Sequence, residues 1–463
     1  MSQQPSSVTD DQVESSQSSS AMDNLKETMV EEQIDTIEKN NSTMVEEMTP
    51  SIEYKATETS EKNTQSKHND LYVLIHGLHG NQKDFQFIAE KLKELYNSDE
   101  TPEHAIIIDC ACNEGKTHDG IESLGTNVLK EVLKIIYERK VSLSNGKKLK
   151  LSVIGHSLGG LIARYFVKLV YDLPSGDIEI SKDEEFQEHR KYFVDNVFPH
   201  LVPCNFTTIS TPHLGSRRPG GTYFKSIYRF AAHTFISLLG LTGKELKLDD
   251  GNSIEESLLY RMSLPESDFV KVLKKFPQRT LISSCNLDST VPFPSSSIRS
   301  FNPYPLNEHA EPSVKIGGAS SEFLTSNAYV NLLNEFFTPY GKETVSTERI
   351  DHLLKASWKG TEHEPFVGDL NDKCKKLYRD NNCEVEFEET ILKNLQDIKW
   401  RRIDLDFTVS SSLQAREIHV VVVRKKRPIR FGNGSEQMDG CGERCVNLIS
   451  ALSKFDSDNL VVN

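Results

Sequence analysis

Residues 149–165 read LKLSVIGHSLGGLIARY, and this stretch decides the predicted fold. Its first part, 149–154, is a mainly apolar run of the length of a buried strand. From 158 to 170 the apolar residues recur at intervals of three and four, which predicts an amphipathic helix. A lone serine, Ser157, therefore lies between a predicted strand and a predicted helix.

The pattern Gly-x-Ser-x-Gly, formed by Gly155, Ser157 and Gly159, predicts a nucleophile elbow. A serine on a tight strand-to-helix turn adopts a strained backbone, and small flanking residues let strand and helix approach closely. Its hydroxyl then stands at the N-terminus of the helix, where developing negative charge is favoured. We predict that Ser157 is a catalytic nucleophile, and the alternative is a merely structural turn.

A second turn with catalytic potential follows the predicted strand 71–75. It reads HGLHG over residues 76–80. In hydrolases such a turn aims a backbone amide at the carbonyl oxygen of the substrate. We predict that the amides of Leu78 and Leu158 form an oxyanion hole, although a glycine turn without a catalytic task would look the same.

The other candidate catalytic residues lie towards the C-terminus. Asp288 follows the predicted strand 280–283, and the expected chain order is Ser, then Asp or Glu, then His. We predict that Asp288 orients the histidine, with a turn-forming aspartate as the alternative. His419 is the preferred general base because it lies in a loop after the predicted strand 400–407, and His309 is the next candidate. The histidines after Asp288 are His309, His352, His363 and His419.

Apolar strands alternate with amphipathic helices from residue 70 onward. This alternation predicts a mostly parallel sheet with helices on both faces, within one α/β domain over residues 70–460. Further strands are predicted at 105–108, 206–209 and 420–423. Less regular insertions are expected at about 171–203, 216–272 and 300–395.

The N-terminal residues 1–69 have a different composition from the rest of the chain. They carry 14 Asp and Glu against five Lys, are rich in Ser, Thr and Gln, and lack sustained apolar periodicity. Such a segment cannot bury enough apolar surface to offset the entropy of ordering, so we predict a disordered tail.

Composition also limits the compartment and the partners. The net charge of −14 argues against a nucleic-acid-binding protein. The start of the chain has no basic segment followed by an apolar core, and no run of about 18 apolar residues occurs, so we expect an intracellular protein without a membrane span. None of the eight cysteines forms a C-x-x-C pair, which fits a reducing compartment. No metal-ligand cluster or phosphate-binding glycine loop is evident, so no cofactor is expected.

The segment 223–241 is unusually rich in aromatic and aliphatic residues, with Arg and Lys at its edges. This composition is typical of a segment lying in a membrane interface. A helical insertion packed on the hydrolase core is the alternative, and a lid that opens at a lipid surface would combine the two. A basic run over 424–430 is either a contact for anionic head groups or a solvated loop. The candidate lipid-interface residues are Phe224, Tyr228, Phe230, Phe235, Leu238 and Leu239.

Four stretches together resemble the fungal and plant serine-esterase family of α/β hydrolases. The resemblance implies ester hydrolysis on lipids, with Ser157 as the nucleophile and Asp288 as the acid, and fungal members of the family include lipid-droplet phospholipases. The family usually has an Ala-His pair after its late strand, whereas this chain reads AREIH over 415–419, so the base stays open among the histidines above. The four stretches are YVLIHGLHGNQKDF (72–85), LSVIGHSLGGLIARY (151–165), TTISTPHLGSRRP (207–219) and SCNLDSTVPFPSSSIRSF (284–301).

These features predict a serine-dependent lipid ester hydrolase that acts at a membrane or lipid-droplet surface. The expected substrates are phospholipids or lysophospholipids, followed by acylglycerols. The alternatives are a non-catalytic lipid-surface protein on the same fold, and a hydrolase of acylated proteins or small esters. The spacing of His79 and Asp84 also resembles a lipid acyltransferase signature, although His79 belongs to the oxyanion turn and Asp84 suits a helix N-cap.

Overall fold

The computed structural model describes the parts of the chain that carry the predicted strands and the candidate catalytic residues, all within one compact unit over residues 64–463. The predicted N-terminal tail, residues 217–238 of the segment 216–272 and most of the segment 300–395 lie outside the described residues. The described residues are 70–97, 105–143, 147–175, 182–216, 239–284, 288, 290–299, 313–317, 389–406, 418–424, 435–458 and 460.

Seven strands within these ranges form one sheet, in the order β2-β1-β3-β4-β5-β7-β6. All neighbouring strands are parallel except β6, which pairs antiparallel with β7 at one edge. The carboxyl ends of the parallel strands therefore meet at one side of the sheet, where ligands usually bind in such folds. The strands are β1 Asp70–Ile75, β2 Ala105–Asp109, β3 Leu149–His156, β4 Leu201–Ile209, β5 Gln278–Ser284, β6 Ser313–Gly317 and β7 Arg401–Asp406.

Helices cover both faces of the sheet. Side chains along β1 alternate between the two layers: Val73 packs with α2 and α3, and Leu74 packs with α1 and α11. This sheet with helices on both faces confirms the predicted α/β-hydrolase fold. The helices are α1 Gln86–Asn97, α2 Ile121–Glu138, α3 Leu158–Asp172, α4 Glu184–Asn196, α5 Gly240–Lys247, α6 Leu258–Ser263, α7 Asp268–Lys275, α8 Phe293–Ser297, α9 Glu389–Gln396, α10 Ile418–Val421 and α11 Ser435–Asp458. No helix in the described ranges is long and apolar enough to cross a membrane.

The predicted late strand at 420–423 is wrong, because the chain forms the one-turn helix α10 there. A run of β-branched residues favours a strand only where a neighbouring strand can pair with it. Here β6 occupies the edge beside β7. The apolar side chains of Ile418, Val422 and Val423 instead pack in the core layer that contains α11.

All three segments that the sequence marks as insertions contain regular structure in their described parts, and the segment 216–272 holds α5, α6 and the start of α7. The segment 171–203 holds the helix α4 and the start of β4, so it is less irregular than predicted. The sequence does not indicate this helix clearly, because its buried face is narrow and consists of Phe186, His189 and Phe193. The excursion after residue 300 contributes β6, which is short and only partly apolar in sequence.

Two buried ion pairs fix β7 to its neighbours. The Arg401 guanidinium forms a bidentate ion pair with the Asp456 carboxylate of α11, and its Nε donates to the Thr280 hydroxyl on β5. Arg299 Nη1 lies 2.8 Å from Asp404 Oδ2. Removing one partner of such a pair typically costs about 3–5 kcal/mol, because the other charge stays buried. These pairs therefore fix the strand that leads to α10.

The carboxyl group of Asp109, at the end of β2, makes the stability of the fold depend on pH. Burial, assisted by the carboxylates of Asp84 and Glu131, raises its pKa to about 8. Between about pH 4 and pH 8 the folded protein keeps this proton while the unfolded chain releases it, so stability falls as pH rises, by at most about 1.4 kcal/mol per pH unit. Asp109→Asn is expected to remove this loss, so its advantage over wild type in the free energy of unfolding in urea should grow from pH 5 to pH 8.

The exposed carboxylate of Asp268 on α7 provides the matched control, because Asp268→Asn changes the net charge equally without relieving a buried group. The control variant should differ from wild type by a constant amount over the same pH range. An Asp109→Asn advantage that does not change with pH would contradict the assignment of a raised pKa.

Candidate active site

Ser157 occupies the turn between β3 and α3, as the sequence predicts. Its backbone angles are φ 54° and ψ −127°, a conformation that is unfavourable for residues with a Cβ atom. The backbone amide of Ser157 donates to the carbonyl oxygen of Ile209 on β4 at 2.8 Å. This bond and the two flanking elements fix the strained turn, which raises the serine hydroxyl above the carboxyl edge of the sheet.

The two glycines of the elbow are required by close contacts. A Cβ atom on Gly159 would lie 2.1 Å from the carbonyl oxygen of Ile75, at the end of β1. A Cβ atom on Gly155 would lie 2.5 Å from the carbonyl oxygen of Gly159 itself. Both contacts are with backbone atoms, which cannot rotate away, so the helix α3 reaches the sheet only with glycine at both positions.

Gly159→Ala is therefore expected to lower the free energy of unfolding in urea by more than about 3 kcal/mol, because the new methyl group overlaps the Ile75 carbonyl. Gly115→Ala is the matched control. Gly115 has φ +70°, and a Cβ atom added to it would have no neighbouring atom within 4 Å, so its replacement should cost only the left-handed strain of about 1–2 kcal/mol. Equal losses in the two variants would contradict the close approach at Gly159.

The side chains of Ser157, His419 and Asp288 form a continuous hydrogen-bonded chain. Nε2 of His419 lies 2.9 Å from Oγ of Ser157, and Nδ1 of His419 lies 2.9 Å from Oδ2 of Asp288. Ser157 follows β3, Asp288 follows β5 and His419 follows β7. The sheet therefore brings His419 to side chains that are 131 and 262 residues away in sequence. The structure thus unites the three residues that the sequence predicts as catalytic.

The Asp288 carboxylate determines the tautomer of His419. An ionised carboxylate only accepts hydrogen bonds, so Nδ1 of His419 carries a proton and donates it to Oδ2. Nε2 then has a free lone pair and accepts the hydrogen bond of the Ser157 hydroxyl. This is the protonation state in which a histidine can remove the proton of a serine.

The environment of Asp288 favours its ionised form. Burial alone would raise the pKa of this carboxyl, but attraction to the imidazolium form of His419 and the hydrogen bond from Nδ1 oppose it, and the net pKa lies below its usual value. The amides of Thr290 and Val291 also donate to Oδ1, at 2.8 and 3.0 Å. These donors hold the carboxylate in a fixed orientation, with Oδ2 left for His419.

The HGLHG turn lies against the nucleophile. A Cβ atom on Gly77 would lie 2.7 Å from Cβ of Ser157 and 3.3 Å from its Oγ. Among the turns, loops and helix caps of the described residues, no backbone hydrogen bond is donated by the amide of Leu78 or Leu158. Both amides are thus available to a ligand near Ser157, and their role as an oxyanion hole stays a prediction.

The histidine of the elbow motif, His156, makes a contact that the sequence does not predict. Its side chain is buried, and its Nε2 lies 2.8 Å from the backbone carbonyl oxygen of His419. The two imidazole rings have centroids 4.9 Å apart. The only sequence signal for this contact is the position of His156 directly before Ser157.

A second histidine pair lies at the HGLHG turn. His79 is exposed, its Nε2 lies 2.7 Å from Nε2 of His118, and its amide donates to the hydroxyl of Thr117. Asp84 lies inside the short 3-10 turn Gln82–Phe85, whose N-cap is Asn81, so Asp84 is not the N-cap that the sequence suggested. Neither observation tests the resemblance to an acyltransferase signature.

The predicted lipid-interface residues are largely outside the described residues, as is His309. Leu239 is described, and it is buried with 2% of its surface exposed, so it packs inside the protein instead of facing solvent. Its near neighbour Leu241 is 46% exposed. Its Cδ2 would lie 2.6 Å from a Cβ atom added to Gly120. Gly120 is three residues after Thr117, whose hydroxyl accepts from the His79 amide. Within the described ranges, no group of three or more His, Cys, Asp or Glu side chains is arranged to hold a metal ion.

The parallel sheet, the strained serine between β3 and α3, and the order of Ser157, Asp288 and His419 along the chain define an α/β hydrolase. The family described as "Putative serine esterase (DUF676)" matches residues 65–298, about half of the chain. The protein belongs to this serine-esterase family. The matched region includes the nucleophile elbow and Asp288, and it ends before His419.

Three yeast proteins with related sequences are named as lipases. The chain is 24% identical over 358 residues to "Putative lipase ROG1" of Saccharomyces cerevisiae, covering 74% of this chain and 46% of that protein. "Putative lipase YDL109C" of the same yeast is 28% identical over 237 residues, and "Putative lipase C4A8.10" of Schizosaccharomyces pombe is 28% identical over 236 residues. Each alignment covers 50% of this chain, and 31% and 26% of those two proteins. The chain therefore spans less than half the length of these relatives.

Proposed function

We propose that the protein is a serine-dependent lipid ester hydrolase that works through an acyl-enzyme. The observation that carries this proposal is the hydrogen-bonded chain from Ser157 through His419 to Asp288. Membership of the serine-esterase family and the lipase names of its relatives agree with it.

In the proposed reaction, Oγ of Ser157 attacks the ester carbonyl carbon while Nε2 of His419 takes the hydroxyl proton. The negative charge moves to the carbonyl oxygen, where the amides of Leu78 and Leu158 stabilise it. Asp288 stabilises the imidazolium that forms. The proton then passes from His419 to the departing alcohol, and the acyl group stays on the serine.

Water completes the proposed cycle by attacking the acyl-enzyme. His419 accepts a proton from this water, and the same proton returns to Oγ of Ser157 as the fatty acid leaves. No cofactor takes part in any of these steps. The protein supplies the nucleophile, the base, the orienting acid and the donors for the oxyanion.

The rival hypothesis of a non-catalytic lipid-surface protein draws its support from the departure described above, in which this chain reads AREIH over 415–419 where the family has an Ala-His pair, so that the histidine is displaced. The contact of 2.9 Å between His419 and Ser157 removes that argument, because the displaced histidine lies within hydrogen-bonding distance of the nucleophile. The hydrolase is therefore the function that the geometry supports best.

Covalent labelling with a fluorophosphonate tests the proposal directly. The probe loses fluoride when an activated serine attacks its phosphorus, so labelling requires both the nucleophile and its base. We expect wild-type protein to be labelled, Ser157→Ala to be unlabelled, and His419→Ala to label at least about 100-fold more slowly.

The control for the base is His309→Ala, which removes the other histidine considered from the sequence. This variant should label at the wild-type rate. Labelling that survives in His419→Ala but disappears in His309→Ala would transfer the role of the base to His309. An unlabelled wild-type protein, with and without lipid vesicles, would favour the non-catalytic hypothesis.

For the substrate we propose a phospholipid or lysophospholipid, with acylglycerols as the next class. Support comes from the relatives' names and from the aromatic and aliphatic composition of the segment 223–241, which has basic residues at its edges. We further propose an intracellular site of action at a lipid-droplet or membrane surface.

The rate of fatty-acid release would separate the lipid classes. The substrates to compare are phosphatidylcholine vesicles, lysophosphatidylcholine micelles and a triacylglycerol emulsion. We expect faster turnover of the long-chain phospholipids than of a soluble short-chain ester. Turnover restricted to short esters or to an acylated peptide would contradict the lipid proposal, although the serine-hydrolase mechanism would stand.

A further inference from the structure

We propose that His156 is a positioning residue that holds the backbone of His419 in the catalytic geometry. This inference rests on the proposed hydrolase function, since it concerns how the base is fixed. It assigns a task to the variable position between Gly155 and Ser157 in the elbow motif.

The first observation is that two adjacent residues of the elbow hold two different parts of His419. Ser157 contacts the imidazole at Nε2, and His156 contacts the backbone carbonyl oxygen. Both distances are hydrogen-bonding distances, 2.9 and 2.8 Å. One rigid turn thereby sets both the ring and the backbone of the base relative to the nucleophile.

The second observation is that the carbonyl group of His419 lies in a helix too short to supply partners for its own carbonyl groups. The helix α10 has only four residues, so its carbonyl groups cannot all find partners within the helix. Asp288 holds Nδ1 of the imidazole, and the neighbouring Ile418 and Val422 are buried in the core, but none of these contacts engages the His419 carbonyl. A hydrogen bond to the His419 carbonyl supplies the missing constraint.

The chemistry of the contact is defined by its acceptor. A carbonyl oxygen only accepts, so Nε2 of His156 carries a proton and donates it. Because His156 gives up no proton and does not contact the reacting atoms, it acts through His419. Its buried ring also lies beside the His419 ring, with centroids 4.9 Å apart, and limits the orientations that ring can adopt.

The experiment compares His156→Gln with His156→Leu. The glutamine amide can donate from nearly the same place as Nε2, whereas leucine fills the space without a donor. We expect His156→Leu to lower kcat for a soluble short-chain ester by about 10- to 100-fold with KM unchanged, because a small misplacement of the base slows chemistry without affecting binding. His156→Gln should stay within about threefold of wild type.

His189→Leu is the matched control, since it removes another buried histidine from α4 and should leave kcat unchanged. Equal kcat in His156→Leu and wild type would overturn the inference, as would an equal loss in the leucine and glutamine variants. Fluorophosphonate labelling of wild-type protein keeps the two proposals apart. If wild type is labelled, those results contradict only the role of His156, whereas an unlabelled wild type contradicts the hydrolase itself.

Discussion

Ser157→Ala is expected to lower kcat for ester hydrolysis by about 10⁴- to 10⁶-fold, with the fold and substrate affinity retained. The variant keeps the small Cβ atom of the elbow but lacks the only oxygen that His419 can activate at this position. The remaining activity would come from water attacking a substrate held by the oxyanion donors. The measurement is single-turnover and steady-state hydrolysis of one short-chain ester, with circular dichroism to show that the fold is unchanged.

Ser210→Ala provides a closely matched control for the nucleophile. Ser210 is also a buried serine at the carboxyl end of a strand, β4, and its φ of 46° resembles the 54° of Ser157. Its hydroxyl has no hydrogen-bond partner within the described residues. We expect its removal to change kcat by less than about threefold. A similar loss of activity in both variants would indicate damage to the sheet edge and would contradict a specific nucleophile.

Asp288→Asn is expected to lower kcat by about 10⁴-fold, through the wrong tautomer of His419. Oδ1 still has to accept from the amides of Thr290 and Val291, so the carboxamide must direct its NH₂ group at His419. That group donates to Nδ1 and forces the imidazole proton onto Nε2. The histidine then donates to Ser157 instead of accepting, and the nucleophile loses its base.

The stability of Asp288→Asn separates this effect from unfolding. The amide oxygen keeps both backbone donors of the turn, so Asp288→Asn should remain folded at pH 7, with a free energy of unfolding below that of wild type by the stability that the ionised carboxylate contributes. The depressed pKa of Asp288 adds stability to wild type that is present above about pH 4 and lost as pH falls through the folded pKa. An Asn variant with nearly full kcat would contradict the role of Asp288 in orienting the base.

Much of this fold is predictable because its signals are local. The runs at β1, β3 and β5 are apolar and end at turn residues, and the apolar periodicity of α3 is long and regular. The prediction fails where local preference and packing disagree. The run at 420–423 favours a strand by composition, but β6 already pairs with β7 at the edge of the sheet. The polar helix α4 hides its narrow buried face among charged residues.

The candidate site was predictable to a similar degree. Ser157 follows from a motif whose residue types are dictated by the close contacts of its glycines. Asp288 and His419 follow from chain order, which indicates the loop but not the distance between side chains. The contact of His156 with the His419 carbonyl could not be predicted from the sequence, because it joins residues 263 positions apart through a main-chain atom. Composition gives no signal for such a bond.

The neighbouring positions of β5 and β7 in the sheet have a consequence for how this protein can be enlarged. The ladder between these strands fixes the segments that carry Asp288 and His419, while a long stretch of chain connects them. The entropy cost of a longer connection rises by only about 0.6 kcal/mol for each doubling of its length. A reporter domain added to the chain between β6 and α9 would therefore add little to the entropy cost of pairing β5 with β7, and the three catalytic side chains would keep their distances.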